Sequence, residues 1–386
     1  MRIQTADGGW VRERNAARRL EEGEPVCVHS RLFAEGIAPE GVVSKPSARD
    51  VQRIRDSVLF EDEDCIVINK PSGLAVQGGS KIPKGKHLDR MMPHVVSAGT
   101  DVRLVHRLDR ETSGCLVMAK SRGAATALAT AFEEGRVEKL YVALVAGCIP
   151  KKSGMTSSYK PRRRQSLFLT RNDCAGVIRA SLLKVGAPGG HDRVQCVPTS
   201  QGGLEASTRY RVLLDAAGDG EGRVSLVALW PESGRTHQLR VHCAERLGAG
   251  KKGEGGDGAC YIIGDAKYGP KHHHLSVSSG ANVVVTEQDR ARREGEADHG
   301  RATSRGHNLS AEKVRLCLHA LRIRLRWGEQ SGTRGPTNTK AVSVRNEISC
   351  MARVPEHFIT TAEKCGFFRR DVEQALDALM RKATAL

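Results

Sequence analysis

Short apolar runs of strand length constrain the fold of this chain most strongly, because they outnumber helical patterns and do not alternate with them regularly. Two of these runs, Val58–Phe60 and Cys65–Ile68, flank the acidic turn Glu61–Asp64 and predict a β-hairpin. Further runs follow at Val137–Val145, Ile178–Val185, Ala206–Leu214 and Val224–Trp230. A chain without strict βαβ alternation favours an α+β fold, and we predict a mixed, largely antiparallel sheet with flanking helices and loops.

Helical patterns are fewer and have recognisable ends. Ser121 is a suitable N-cap residue, and apolar residues follow it at helical spacing as far as a stop at Gly135. A second helix is predicted to begin near Thr236, and a third spans residues 369–383 with one apolar face. Apolar residues alternate along Val314–Leu325, which predicts an edge or half-buried strand.

The polarity of the chain changes along its length. Residues 1–56 are polar, rich in arginine and poorly periodic, so we expect an extension rather than an independent core. Residues 57–386 are expected to form the main domain. Within it, residues 270–312 are largely polar, and this composition predicts a disordered insertion that docks a partner.

The chain carries a large excess of positive charge. It has 61 lysine and arginine residues against 44 aspartate and glutamate residues, a formal net charge of +17. This charge favours a polyanionic partner, because each cation placed against a phosphate releases counterions. The alternative is a basic protein that is merely soluble. A cluster at Lys160, Arg162, Arg163 and Arg164 is a candidate phosphate contact, with a solvated surface loop as the alternative.

Other classes of partner find little support in the sequence. The eleven cysteines are scattered singly without a C-x-x-C pair, so we expect a reduced, intracellular protein without a structural zinc site. No apolar stretch approaches the roughly 20 residues that cross a bilayer, and no membrane partner is expected. The arginine-rich start resembles a weak transit peptide, which favours the mitochondrion, with the cytoplasm or nucleus as alternatives.

The stretch VHRLDRETSGCLVMAK, residues 105–120, contains the leading candidate for a functional side chain. Asp109 lies between Arg107 and Arg110, and small polar residues separate it from the apolar run Cys115–Ala119. This pattern places Asp109 on a loop beside a buried strand, where functional carboxylates often lie. On the local pattern alone, a salt-bridged loop aspartate is the more common case.

Distant blocks of sequence change that assessment. The chain contains IVINKPSGLAV at 66–76, HRLDRETSG at 106–114, KLYVALVAG at 139–147, GRTHQLRVH at 234–242, GDAKYG at 264–269 and LHALRIRL at 318–325. Together and in this order, these blocks closely resemble the RluA-type pseudouridine synthases, which isomerise uridine within RNA. The resemblance covers roughly residues 58–270 and resumes near 314–358, and it implies that 57–386 form the catalytic domain with the pseudouridine synthase fold.

The resemblance implies roles for individual residues. Asp109 matches the catalytic aspartate, which either attacks the target nucleoside near C1′ or takes a proton from its ribose. Tyr141 matches a tyrosine that packs against the base and helps to remove the C5 proton. Arg240 matches the arginine that pairs with the aspartate, and Arg107 matches one that fills the gap left by a flipped nucleotide.

Further RNA contacts are expected from basic residues in or near the matched blocks: Lys70, His106, Arg107, Arg110, Arg235 and the 160–164 cluster. An isomerisation consumes no redox agent or phosphate donor, so no cofactor and no metal are expected. His237 and His242 lie five residues apart, which does not suit a shared metal face, and they are expected to hydrogen-bond locally. The tract His272–His274 lies at the start of the polar insertion.

The sequence therefore predicts an RNA pseudouridine synthase that acts on structured RNA, with ribosomal RNA within an assembling ribosomal particle as the leading substrate. The QGGS stretch at 77–80 resembles members that act on large-subunit ribosomal RNA. The alternative is a catalytically quiet RNA-binding factor for ribosome assembly that keeps the fold. Intact Asp109, Tyr141 and Arg240 argue against it, and a basic structural protein with an incidental motif is the remaining hypothesis.

Overall fold

The structure, a computed structural model, describes most of the central and C-terminal chain. The described residues are 46–78, 87–147, 149, 174–186, 192–216, 224–248, 260–269, 314–327 and 346–384, with short strands at 2–4, 10–12, 26–27, 275–278 and 282–285. The chain divides into two compact units, Met1–Pro46 and Ser47–Leu386, whereas the sequence placed the boundary after residue 56. The first unit contains a small antiparallel sheet of β1 (Arg2–Gln4), β2 (Trp10–Arg12) and β3 (Val26–Cys27).

The second unit combines strands and helices. Its strands are β4 (Val58–Glu61), β5 (Cys65–Lys70), β6 (Arg103–Leu104), β7 (Ser113–Ala119), β8 (Val137–Ala146), β9 (Ala175–Val185), β10 (Arg193–Val197), β11 (Leu204–Ala216), β12 (Val224–Pro231), β13 (Tyr261–Ile262), β14 (Leu275–Ser278), β15 (Asn282–Val285), β16 (Leu318–Trp327) and β17 (Asn346–Met351). Its helices are α1 (Ala48–Arg55), α2 (Leu88–Met91), α3 (Arg122–Glu133), α4 (Gln238–Arg246), α5 (Glu356–Lys364) and α6 (Arg369–Thr384).

One twelve-stranded sheet organises this unit. Its main path runs β10-β9-β11-β12-β8-β16-β7-β5-β4, while β13 pairs with β8, β17 with β16 and β6 with β7. Strands β16 and β7 pair in parallel, with Ala320 opposite Gly114, and the other strand pairs of this sheet are antiparallel. The predicted α+β class with a mixed, largely antiparallel sheet is confirmed.

Helix α3 forms where the sequence predicts it. The Ser121 hydroxyl accepts a hydrogen bond from the Ala124 backbone N–H at 3.1 Å and so satisfies one free donor of the first turn. Ala124, Leu128 and Ala131 lie on one face and are buried against residues of β7 and β16. Complete burial of Leu128 contributes about 2 kcal/mol relative to exposure. Gly135 follows the helix with a φ of +71°, a conformation that favours glycine.

Strand β16 corrects a prediction. The alternation along residues 314–325 indicated an edge or half-buried strand, but β16 lies between β8 and β7 and is buried along most of its length. His319 is fully buried because its ring bonds to the Ser113 hydroxyl at 2.9 Å and to the Ala352 carbonyl oxygen at 3.0 Å. The edge assignment is wrong. His319 gave the strand the alternating polarity of an exposed edge, but its partners lie far away in the sequence and allow it to be buried.

Several predictions fall partly outside the described residues. Of the segment 270–312, the structure describes only β14 and β15, which pair as an antiparallel hairpin. Lys160 and Arg162–Arg164 lie outside the described residues. The nine cysteines described within the second unit are free thiols. Among the described helices, none has both the length and the apolarity that a membrane crossing requires.

We expect Gly114→Ala to destabilise the large sheet strongly. Gly114 is the second residue of β7 and has a φ of +111°. An added Cβ would lie 2.2 Å from the Ala320 backbone oxygen of β16. Because the clash is with backbone, the parallel pair must separate to relieve it. The free energy of unfolding, measured by urea titration, should fall by about 3 kcal/mol or more.

Gly135→Ala is the matched control for this substitution. Its φ is also positive, at +71°, but no atom lies within 4 Å of the added Cβ. This variant therefore carries the backbone strain alone, about 1–2 kcal/mol. Equal losses in the two variants would show that the approach of β16 to Gly114 does not limit stability.

Candidate active site

Asp109 lies on the loop that joins β6 to β7. Leu108 is buried in the core and anchors the loop beside the carboxylate. The Thr112 backbone N–H donates to the Asp109 carbonyl oxygen at 3.1 Å, which closes a tight turn immediately before the buried strand β7. The loop is therefore held at both ends, while the Asp109 side chain stays about one quarter exposed.

Lys70 supports this loop from inside the protein. Its ammonium donates to the carbonyl oxygens of Pro71 at 3.0 Å, Leu74 at 2.8 Å and Arg110 at 3.0 Å. The side chain is fully buried, and burial lowers the pKa of Lys70 to about 7. The predicted RNA contact is corrected accordingly: the amine joins the turn after β5 to the Asp109 loop and has no exposed atom to offer a ligand.

The same turn makes further bonds to the loop. The Gly73 N–H donates to the Arg110 carbonyl oxygen at 2.9 Å, and Arg110 Nε donates to the Gly73 carbonyl oxygen at 3.1 Å. The Ser72 hydroxyl donates to the Glu111 carbonyl oxygen at 2.8 Å. These bonds fix the backbone on the C-terminal side of Asp109, and they leave the Arg110 side chain exposed.

Arg240, in the first turn of α4, joins two carboxylates. Its Nε and Nη2 atoms each donate to Asp265 at 2.7 Å, and its Nη1 atom donates to Asp109 Oδ2 at 3.2 Å. Burial lowers the pKa of Arg240, but the hydrogen bonds and charges of Asp265 and Asp109 outweigh it and raise the pKa above its ordinary value. The guanidinium is therefore a fixed cation, and its bidentate pair with Asp265 sets the direction in which it meets Asp109.

Asp265 is itself held by a tight turn. Its carboxylate accepts the backbone N–H groups of Lys267 at 3.0 Å and Tyr268 at 3.1 Å. Burial raises the pKa of Asp265, but the bonds and charge of Arg240 and these two N–H groups bring it below its ordinary value. Gly264, with a φ of +79°, precedes it, and an added Cβ would lie 2.1 Å from the Arg315 carbonyl oxygen. The GDAKYG block thus needs its glycine for close backbone approach and its aspartate for Arg240.

A cavity of about 790 Å³ opens beside Asp109, within the usual size range of ligand sites. Its lining includes Arg107, Asp109, Tyr141, Arg235, His237 and Arg240. Tyr141 lies on β8 and is only partly exposed, and burial together with the charge of Asp109 raises the pKa of its phenol. The cavity therefore presents the Asp109 carboxylate, a neutral aromatic ring and several cations to a ligand, and Glu133, Glu138 and Glu232 line it as well.

The other predicted contact residues differ in what they offer. Arg107 and Arg235 are exposed and line the cavity. His106 also lines it, but its Nε2 atom accepts the Val117 backbone N–H at 2.9 Å and its ring stacks on Phe132. Burial lowers the pKa of His106 to about 3, so this residue offers a ligand the edge of a neutral ring and no positive charge.

His237 faces Asp109 from the turn that precedes α4. Its Nε2 atom lies 3.8 Å from Asp109 Oδ2, and its Nδ1 atom lies 2.7 Å from the Tyr268 hydroxyl oxygen. The sequence pointed to local hydrogen bonding for His237 and assigned no role to Tyr268 or Asp265, although GDAKYG was among the matched blocks. In the sequence, Asp265 is marked only by a glycine-aspartate pair between strand-like segments. Its pairing with Arg240 exists only in the folded chain.

Within the described residues, no group of three or more His, Cys, Asp and Glu side chains is placed to hold a metal ion. What the arrangement offers is one carboxylate of fixed direction, available for proton transfer or for attack on an electrophilic carbon. The neighbouring ring and cations suit a flat, anionic ligand.

Comparisons with known proteins agree with this geometry. A family model described as RNA pseudouridylate synthase matches residues 64–245. The chain is 32% identical over 256 residues to the ribosomal large subunit pseudouridine synthase C of Rickettsia bellii (strain RML369-C), covering 66% of this chain and 71% of that one. It is 30% identical over 262 residues to the mitochondrial pseudouridylate synthase RPUSD4 of Xenopus tropicalis, covering 62% and 71%. The solved structure of human RNA pseudouridylate synthase domain containing 4 has a TM-score of 0.50 at 22% identity, covering 82% of this chain and 95% of that one, and shows the shared fold.

Proposed function

The chain belongs to the family of RNA pseudouridylate synthases, which are isomerases, and we propose that it converts uridine to pseudouridine in ribosomal RNA. The observation that carries this proposal is the Arg240–Asp109 pair at 3.2 Å, in a cavity also lined by Tyr141 and Arg107. The ribosomal substrate is supported by the name of the Rickettsia bellii relative.

The proposed reaction is a balanced rearrangement. The C1′–N1 bond of uridine breaks, the uracil turns, and a C1′–C5 bond forms. C5 loses a proton and N1 gains one, so the numbers of atoms and charges are unchanged. Asp109 either attacks near C1′ or takes a proton from the ribose, and both roles require an ionised carboxylate. We assign Arg240 to aim that carboxylate, since the direction of the guanidinium is itself fixed by Asp265.

We assign Tyr141 to pack against the extruded base. A base that reacts at C1′ and C5 must leave its stack, and an aromatic ring offsets part of that cost. Burial and the charge of Asp109 raise the pKa of Tyr141, so the phenol is protonated at neutral pH and is a weak base for the C5 proton. Arg107, exposed beside the same cavity, is proposed to fill the space that the nucleotide leaves.

RNA affinity is proposed to rest on exposed arginines. Arg110 and Arg235 are exposed, and Arg235 lines the cavity while its Nε donates to the Glu205 carbonyl oxygen at 3.2 Å. Lys160 and Arg162–Arg164 add positive charge in the sequence and stay candidates for phosphate contact. The net charge of +17 supports the same assignment.

We propose the mitochondrion as the compartment, a proposal supported by the name of the Xenopus tropicalis relative, a mitochondrial pseudouridylate synthase. An assembling ribosomal particle is the proposed setting of the substrate. The polar composition of residues 270–312 supports a role for that segment in docking a protein of the particle.

Release of tritium tests the proposed function. The purified full chain is incubated with large-subunit ribosomal RNA that carries tritium at C5 of uridine, in buffer with a metal chelator. We expect tritium to enter water in a fixed ratio to the RNA, because C5 exchanges its hydrogen for the bond to C1′. Binding of the RNA without tritium release would instead support the quiet assembly factor and contradict the proposal.

A further inference from the structure

The turn before α4, which lines the cavity together with Tyr141, holds a histidine in an unusual conformation. His237 has a φ of +54°, and no other residue of the described chain apart from glycine has a positive φ. Gln238 fixes the turn, because its amide donates to the Ser207 carbonyl oxygen at 2.9 Å and accepts the Arg235 N–H at 3.0 Å. Backbone strain held by its surroundings in this way is common at functional sites.

The hydrogen bonds around His237 assign its tautomer. The Tyr268 hydroxyl oxygen accepts the Val194 backbone N–H at 3.2 Å and lies 2.7 Å from His237 Nδ1. Within the described part of the chain, Nδ1 is the one acceptor within reach of the Tyr268 hydroxyl proton. Burial lowers the pKa of His237 below its ordinary value despite the charge of Asp109, which favours the neutral ring with a single proton at neutral pH. That proton is consequently on Nε2, the atom that faces Asp109.

One hydroxyl group can bridge the two side chains from beside the line that joins them, at about 2.8 Å from each atom. His237 Nε2 and Asp109 Oδ2 are 3.8 Å apart, which is too far for a good direct hydrogen bond. A group placed between them must accept from Nε2–H and donate to the carboxylate, and a hydroxyl does both. In an internal nucleotide of RNA, the 3′ and 5′ oxygens are esterified to phosphate, so the 2′-hydroxyl is the one hydroxyl that remains.

We propose that His237 Nε2–H and Asp109 Oδ2 together bind the 2′-hydroxyl of the target uridine, and that Tyr268 is a positioning residue that sets the tautomer of His237. This inference rests on the proposed function, because either role of Asp109 brings its carboxylate to the C1′ side of the ribose. The pair would orient the sugar at the reacting carbon. It would also select RNA over DNA at the modified nucleotide.

A binding cycle between protein and RNA tests the contact. All variants carry Asp109→Asn, which blocks turnover and keeps an acceptor oxygen, and two RNAs are compared that differ only in a 2′-deoxy substitution at the target uridine. With His237 intact, we expect the deoxy RNA to bind about tenfold more weakly. With His237→Asn, whose side chain tolerates positive φ but is too short to reach, that ratio should fall to about threefold or less.

Two further variants separate contact from structure. Tyr268→Phe removes only the hydroxyl, and it should lower the ribo-to-deoxy ratio in the same direction, because Nδ1 then competes for the proton. Arg235→Ala should weaken the binding of both RNAs equally and so keep the ribo-to-deoxy ratio of the protein that carries Asp109→Asn alone. An unchanged ratio in both His237→Asn and Tyr268→Phe, with the parent ratio at tenfold, would overturn the inference. If the wild-type protein releases tritium but the Asp109→Asn protein binds the two RNAs almost equally, the inference is overturned and the proposed function stands. If the wild-type protein releases no tritium, both the inference and the proposed function are overturned.

Discussion

Asp109→Asn is expected to reduce pseudouridine formation by on the order of 10⁴-fold or more while it leaves the fold and most RNA affinity in place. An amide can neither attack near C1′ nor take a proton from the ribose, so both open mechanisms lose their reacting group. The substitution is nearly isosteric, and Arg240 keeps its two bonds to Asp265 at 2.7 Å. Tritium release gives the rate, and filter binding gives the affinity.

Glu111→Gln is the matched control for Asp109→Asn. Glu111 lies on the same loop, makes an exposed pair with Arg110 at 3.4 Å, and is absent from the cavity lining. We expect this variant to keep the wild-type rate within about threefold, since exposed pairs contribute little. Activity of Asp109→Asn within tenfold of wild type would show that another group performs the chemistry.

Local patterns predict most of the sheet because strand periodicity is a property of neighbouring residues. The runs at Val137–Val145 and Val224–Trp230 correspond to β8 and β12 with shifts of one residue at one end. Strand β16 was misjudged because the burial of His319 depends on Ser113 and Ala352, which are remote in sequence. A single sequence shows the polarity of a residue but not whether it has a hydrogen-bond partner in the folded core.

The candidate site was predictable to the extent that motifs mark side chains that meet. Asp109, Tyr141 and Arg240 come from three separate blocks, and all three line one cavity. The position of Lys70 in such a block suggested an RNA contact, but three carbonyl oxygens converge on its amine in the interior. The importance of Asp265 was missed because its role exists only through Arg240, a contact that tertiary structure creates.

Asp265→Asn is expected to cost about 3–5 kcal/mol in the free energy of unfolding and to slow the reaction by at least about 10²-fold. Arg240 is buried, and the amide would turn an N–H group towards it or give up one of two bonds. The guanidinium would then have Asp109 as its remaining counter-ion and would shift towards it, so the carboxylate would no longer be held in the direction that the substrate requires.

Urea titration of Asp265→Asn and of Glu347→Gln gives the free energy of unfolding of each variant. The comparison separates the effect of burial from the effect of losing a carboxylate that pairs with arginine. Glu347 also accepts bonds from two arginines, Arg324 at 2.6 Å and Arg326 at 2.9 Å, but it is exposed, so its loss should cost less than about 1 kcal/mol. The pKa of Asp265 lies below its ordinary value, so its stabilisation is present above the unfolded-state pKa of about 3.9 and is lost as the pH falls through the folded-state value. The difference between wild type and Asp265→Asn should therefore be largest near neutral pH and shrink below about pH 4. A difference that stays constant across this range would show that the carboxylate acts by shape and not by its charge on Arg240.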